Sequence, residues 1–116
     1  MSLHGAKVFA RFIASLPATT LVEQWEAQVA KVGGKVFAMR GSESGTLVFK
    51  VSEMSFEGLT ALEGIGQAPY FARRHWVAVA RGADIDEAGL KAYIAASHGL
   101  VASKLTRKLR AELGLG

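Results

Sequence analysis

The sequence predicts an α+β domain, residues 1–116, in which an antiparallel sheet carries helices on one face. Stretches with an apolar residue at every second position are typical of strands, and stretches with apolar residues three and four apart are typical of helices. These patterns alternate along the chain in the order α-β-β-β-α-β-α. A chain of 116 residues that is 50% hydrophobic is long and apolar enough to bury one core.

The first helix is predicted from His4 to Leu16, with Pro17 as its stop. Its apolar residues are spaced for one buried face: Val8, Phe9, Phe12, Ile13 and Leu16. The first twenty residues contain Lys7 and Arg11 but no acid, a composition that also occurs in transit peptides. The buried-face pattern favours the helix.

A meander of three strands is predicted next. From Thr20 through Val29 the apolar residues recur at every second position. This pattern predicts a strand with one face in the core and the other in solvent. Gly33-Gly34 separates AQVAKV from KVFAMR and is a hairpin signal. The turn GSESG at 41–45 then leads to TLVFKV.

The second half of the chain adds two helices and a fourth strand. A helix is predicted over 52–66, capped by Ser52 or Ser55, and the strand over 75–81. Asp84 followed by Glu87 resembles a capping box and predicts a long last helix, with Leu90, Ile94, Val101, Leu105 and Leu109 near one side.

Catalytic and metal chemistry is not expected. The chain has no cysteine and three histidines. Ser97 and His98 are neighbours on a helix, so their side chains diverge and cannot form a catalytic pair. No pattern for a metal, a phosphate loop or a dinucleotide is complete. We therefore expect neither an enzyme nor a cofactor.

A basic C-terminal segment is the first candidate for binding. The net charge is +4, and on a helix Lys104, Arg107, Lys108 and Arg110 share one side. The ordinary interpretation is a helix whose apolar side packs on the domain and whose cations are solvated. The functional interpretation is that these cations form a surface that contacts nucleic-acid phosphates. A membrane-surface helix fits less well, because the apolar side carries no aromatic residue, and no stretch is long enough to span a membrane.

The segment Arg73-Arg74-His75-Trp76 is the second candidate. If Val77 and Val79 pack inward, Trp76 lies on the open side of the sheet, where it could stack a base beside the arginines. If Trp76 packs inward, the arginines merely flank it. The pattern favours a core or half-buried position.

Three segments together resemble the MmcQ/YjbR family of small bacterial proteins: KVGGKVFAM (31–39), RRHWVAV (73–79) and SHGLVASKLTRKLRAEL (97–113). The resemblance implies a frataxin/CyaY-like fold, described as a DNA-binding "double wing". It implies DNA-contacting roles for the hairpin residue Lys35 and for both cationic segments.

The chain departs from that family pattern in several places. Val77-Ala78 stands where relatives usually have a polar pair, and QWEAQ where they often have a proline-containing turn. Thr106 stands where many relatives carry proline, which implies a break in the last helix near Leu105. Thr106 would then be an N-cap, and an anion at that end would offset the cations Arg107 and Lys108.

The leading hypothesis is a non-enzymatic, cytoplasmic nucleic-acid-binding protein, with DNA as the partner. The alternative is a protein-interaction or structural domain that binds no nucleic acid. The frataxin-like fold also raises iron binding, but residues 4–16 contain no acid, so no metal is expected.

Overall fold

A computed structural model describes residues 2–116. It contains a six-stranded antiparallel sheet and four helices. The strands are β1 (Thr19–Gln24), β2 (Ala27–Val32), β3 (Lys35–Gly41), β4 (Leu47–Lys50), β5 (Ile65–Gln67) and β6 (Trp76–Val79). The helices are α1 (Ala6–Ser15), α2 (Glu53–Thr60), α3 (Glu87–Ala102) and α4 (Arg107–Glu112). The strand order across the sheet is β1-β2-β3-β4-β6-β5.

The core lies between one face of the sheet and the helices. Phe9 and Ile13 of α1 and Ile94 of α3 pack in the same buried cluster as Phe37 and Phe49 of the sheet. A β-bulge after Ala30 breaks the alternation in β3, so that Phe37 and Ala38 both belong to this core. The predicted α+β class and the placement of the helices on one face are confirmed.

The predicted element order is incomplete at the start of the sheet. The stretch from Thr20 through Val29 forms two strands, because Trp25 and Glu26 make a two-residue turn between Gln24 and Ala27. Both turn residues have positive φ, 54° and 55°, the pattern of a type I′ hairpin. Asn-Gly usually supplies such a turn, and neither residue is present here.

The predicted helix over 52–66 is too long. Helix α2 ends at Thr60, and 65–67 forms β5, which pairs with β6 at the edge of the sheet. Ser52 caps α2 by accepting a hydrogen bond from the Ser55 amide. Asp86, rather than Asp84, caps α3 by accepting from the Gly89 amide.

The last helix is broken as the resemblance implies. Helix α3 ends at Ala102, and α4 begins after Thr106, whose hydroxyl accepts a hydrogen bond from the Leu109 amide at 3.1 Å. The buried side chain of Leu105 anchors the intervening turn. None of the helices described over residues 2–116 has the length and apolarity needed to cross a membrane.

Candidate functional site

The Gly33-Gly34 hairpin and the C-terminal segment meet at one end of the sheet. A Cβ atom built on Gly33 would lie 2.6 Å from Leu105 Cδ1, so the hairpin backbone rests directly against the turn between α3 and α4. Lys35 follows the hairpin, and Lys104 precedes Leu105. This contact brings together two cations that are far apart in sequence.

Lys50 joins this pair of lysines. Burial lowers the pKa of Lys50, and the positive charges of Lys104 and Lys35 lower it further. We call Lys35, Lys50 and Lys104 the lysine cluster. None of the three forms an ion pair with any carboxylate in the part of the chain that the structure describes. Their charge is therefore left for an external anion.

The sheet register connects the lysine cluster to the Arg73–Trp76 segment. Lys50 pairs with Trp76 across β4 and β6, and the Val51 amide donates to the His75 carbonyl at 2.8 Å. Both predicted cationic segments thus lie at the same end of the sheet. Sequence reasoning missed Lys50, whose only signal was its position as the last polar residue of TLVFKV.

Two residues of the Arg73–Trp76 segment already have acidic partners. Arg74 Nη2 lies 2.6 Å from Glu57 Oε1, and this hydrogen bond raises the pKa of Arg74. His75 Nε2 lies 3.7 Å from Glu53 Oε1. Arg73 is exposed and forms no ion pair within residues 2–116. Arg73 is therefore better suited to bind an external anion than Arg74 or His75.

Trp76 lies on the open side of the sheet but is covered. Val77 and Val79 are fully buried in the core, so alternation places Trp76 on the opposite face. There the Phe71 ring lies 4.4 Å away, centroid to centroid, and leaves Trp76 only 9% exposed. The predicted half-buried position is close to the observed one, and no base can reach this ring while Phe71 covers it.

The remaining cations lie on α4. Arg107 and Lys108 are exposed in its first turn, while Arg110 is partly buried in its last. No ion pair forms at these three side chains within the described chain. They extend the positive surface beyond Lys104.

A cleft beside the lysine cluster offers hydroxyl groups. It has a volume of about 340 Å³ and separates the start of α2 from α3. Its lining includes Lys50, Ser52, Ser55 and Ser103. Ser97 fixes its floor, because the buried hydroxyl donates to the Lys50 carbonyl at 2.5 Å.

The two other histidines have structural roles. His98 Nε2 lies 2.8 Å from the Pro17 carbonyl oxygen, and its ring packs edge-on against Phe37. His4 Nδ1 lies 2.9 Å from the Gly45 carbonyl oxygen. Among residues 2–116 no three His, Cys, Asp or Glu side chains gather where they could hold a metal.

Comparison with known proteins identifies the family. The YjbR family model matches residues 14–100, three quarters of the chain. The chain belongs to the YjbR family. The resemblance seen in the three sequence segments is therefore confirmed. No curated protein matches the chain.

Solved structures agree with this YjbR fold. One is the crystal structure of Deinococcus radiodurans protein DR2400, described as a DUF419 domain. It superposes with a TM-score of 0.85 at 24% identity, covering 95% of this chain and 88% of that one. A protein from Pseudomonas syringae gives a TM-score of 0.68 at 18% identity, covering 83% and 97%. At these identities the likeness concerns the fold.

Proposed function

We propose that this YjbR protein is a non-enzymatic nucleic-acid-binding protein, with DNA as the expected partner. The observation that carries the proposal is the convergence of Lys35, Lys50 and Lys104, which have no acidic partner, at the end of the sheet that also holds Arg73. Lysine and arginine contacts to phosphates supply the salt-dependent part of nucleic-acid affinity.

The lowered pKa of Lys50 supports this role. Burial and two like charges make the ammonium unfavourable in the free protein. A phosphate beside the lysine cluster would offset that repulsion. An anionic ligand should therefore bind here more readily than at an isolated surface lysine.

The α4 cations add further contacts in this proposal. Arg107 and Lys108 continue the positive surface from Lys104, while Arg110 is less accessible. In such an interface the sugar-phosphate backbone contacts several cations, and these contacts together hold the nucleic acid in place. Arg74 and His75 contribute less, since Glu57 and Glu53 already compensate them.

The test is the salt dependence of binding, measured by fluorescence polarisation at about 50 and 200 mM salt. Substituting all three residues of the lysine cluster by alanine should weaken binding and flatten the slope. The matched control replaces Lys7, Arg11 and Lys91 of α1 and α3, which removes equal charge from exposed helix positions. Equal losses in both variants would contradict the proposal. Absence of binding at about 50 mM salt would favour the alternative protein-interaction domain.

A further inference from the structure

The open face of the sheet carries an apolar surface that is only partly buried. Residues opposite one another in the register form a continuous row across it: Val22, Val29, Met39, Val48, Ala78 and Gly66. Val22 is exposed and Val29 is fully buried, while the other four are half-buried. None of the helices described over residues 2–116 packs on this side, because they contribute to the core on the other. Such a patch on a small protein usually marks a binding surface.

A cleft of about 570 Å³ lies on this face, within the size range of ligand sites. Val36, Met39 and Val48 form its floor, and Trp25 and the Pro69–Phe71 segment form its walls. No charged residue is part of the lining. We call it the aromatic cleft.

Two aromatic walls of this cleft are exposed to solvent. Trp25 is 66% exposed, and Tyr70 is fully exposed. Both residues have positive φ, 54° and 70°, where a bulky side chain is strained. The fold thus holds two large rings in water at a conformational cost, and neither ring contributes to the core.

Lysines border the aromatic cleft. Lys31 pairs with the floor residue Val36 across β2 and β3 and so shares its face, whereas Lys35 pairs with the core residue Val32 and begins on the opposite face. Lys50 follows Val48 by two positions on β4 and so shares its face of the sheet. An apolar floor edged by cations matches a ligand with flat apolar faces joined by negative charges.

We propose that the aromatic cleft binds the unpaired bases of a single-stranded nucleic acid, while the lysine cluster holds its phosphates. This inference rests on the proposed function and narrows it from nucleic acid in general to single strands. Bases expose their faces for stacking only when they are unpaired, and stacking on aromatic side chains tolerates any sequence.

The experiment compares a labelled oligothymidylate of about 15 nucleotides with a duplex of the same length. The test variants are Trp25→Gly and Tyr70→Gly, since glycine accepts the positive φ at both positions. Met54→Ala is the control, because Met54 is an exposed apolar residue on α2, outside the cleft. Trp25→Phe keeps a stacking ring, and circular dichroism checks each fold.

We expect the wild type to bind the single strand more tightly than the duplex. Trp25→Gly and Tyr70→Gly should each lose about tenfold in single-strand affinity, while Trp25→Phe and Met54→Ala stay close to wild type. Single-strand binding that survives both glycine variants would overturn the inference. So would a wild-type dimer that Trp25→Gly converts to a monomer, because a second copy would then occupy the face.

The proposed function can survive that failure. If duplex and single strand bind equally and only the lysine-cluster variant loses both, the aromatic cleft is not involved and the phosphate site stands. If neither probe binds at about 50 mM salt, both proposals are contradicted.

Discussion

Leu105 occupies the space that a side chain on Gly33 would need, since a Cβ atom there would come 2.6 Å from Leu105 Cδ1. Gly33 also has a φ of 59°, which favours glycine. The contact joins the hairpin bearing Lys35 to the turn bearing Lys104. The integrity of the lysine cluster therefore depends on a glycine that carries no charge.

Gly33→Ala should destabilise the fold by about 2–3 kcal/mol, from the positive φ and from overpacking against Leu105. Gly34→Ala is the matched control: its φ is 77°, but beyond its chain neighbours no atom of residues 2–116 lies within 4 Å of the added methyl group. It should cost only about 1 kcal/mol. Chemical denaturation measures both. Equal costs would show that Leu105 moves aside freely.

Glu26→Gly should stabilise the protein by about 0.5–1 kcal/mol. The residue is exposed in the β1–β2 turn at a φ of 55°, and relief of that strain exceeds the added freedom of the unfolded chain. Glu43→Gly is the control, because Glu43 is an exposed loop residue without positive φ. A gain only at position 26 confirms the type I′ turn, whereas a loss there would argue against it.

Lys50→Met should raise the free energy of unfolding at neutral pH, by less than about 1 kcal/mol because the site is partly solvated. Burial and the neighbouring lysines lower the pKa of Lys50 below its ordinary 10.5. Between the lowered and the ordinary value the unfolded chain binds more protons, so wild-type stability should rise with pH in the window just below 10.5.

The pH dependence of the midpoint of denaturation tests this expectation. Lys50→Met should lack the part of the rise that wild type shows in that window. Lys7→Met, which changes an exposed lysine on α1, should retain it. An identical slope in wild type and Lys50→Met would mean that the surroundings of Lys50 do not disfavour its charge.

Glu57→Gln should strengthen nucleic-acid binding, because it releases Arg74 from its 2.6 Å ion pair. By the same reasoning, Arg73→Ala should reduce affinity and salt slope more than Arg74→Ala does. Fluorescence polarisation with one labelled oligonucleotide ranks these variants. A larger loss at Arg74 than at Arg73 would show that the ion pair opens in the complex.

The sequence predicted those elements whose signals are local. Gly33-Gly34 marked its hairpin, Ser52 its cap, and Thr106 the start of α4. Strands β1 and β2 could not be separated, because Trp25-Glu26 is not a sequence typical of turns. Strand β5 was hidden because it has three residues, including Gly66, and is held by its pairing with β6.

The candidate site was predicted only in part, because local signals identify its segments but not their meeting in space. Lys35 and Lys104 belong to recognisable segments, but their meeting depends on the packing of Leu105 on Gly33. Lys50 lies near Lys35 and Lys104 because β4 is the neighbour of β3 in the sheet, which the sequence does not show. The cover of Phe71 over Trp76 and the exposure of Trp25 and Tyr70 arise from loop conformations at positive φ, which periodicity does not reveal.

The salt dependence of single-strand binding by the lysine-cluster variant tests the central claim most directly. Each phosphate contact contributes about 0.7 to the slope of log affinity against log salt concentration for a single strand. Removing Lys35, Lys50 and Lys104 together should therefore reduce the slope by about 2, while the Lys7, Arg11 and Lys91 control keeps it. A lysine-cluster variant with the wild-type slope would contradict the account.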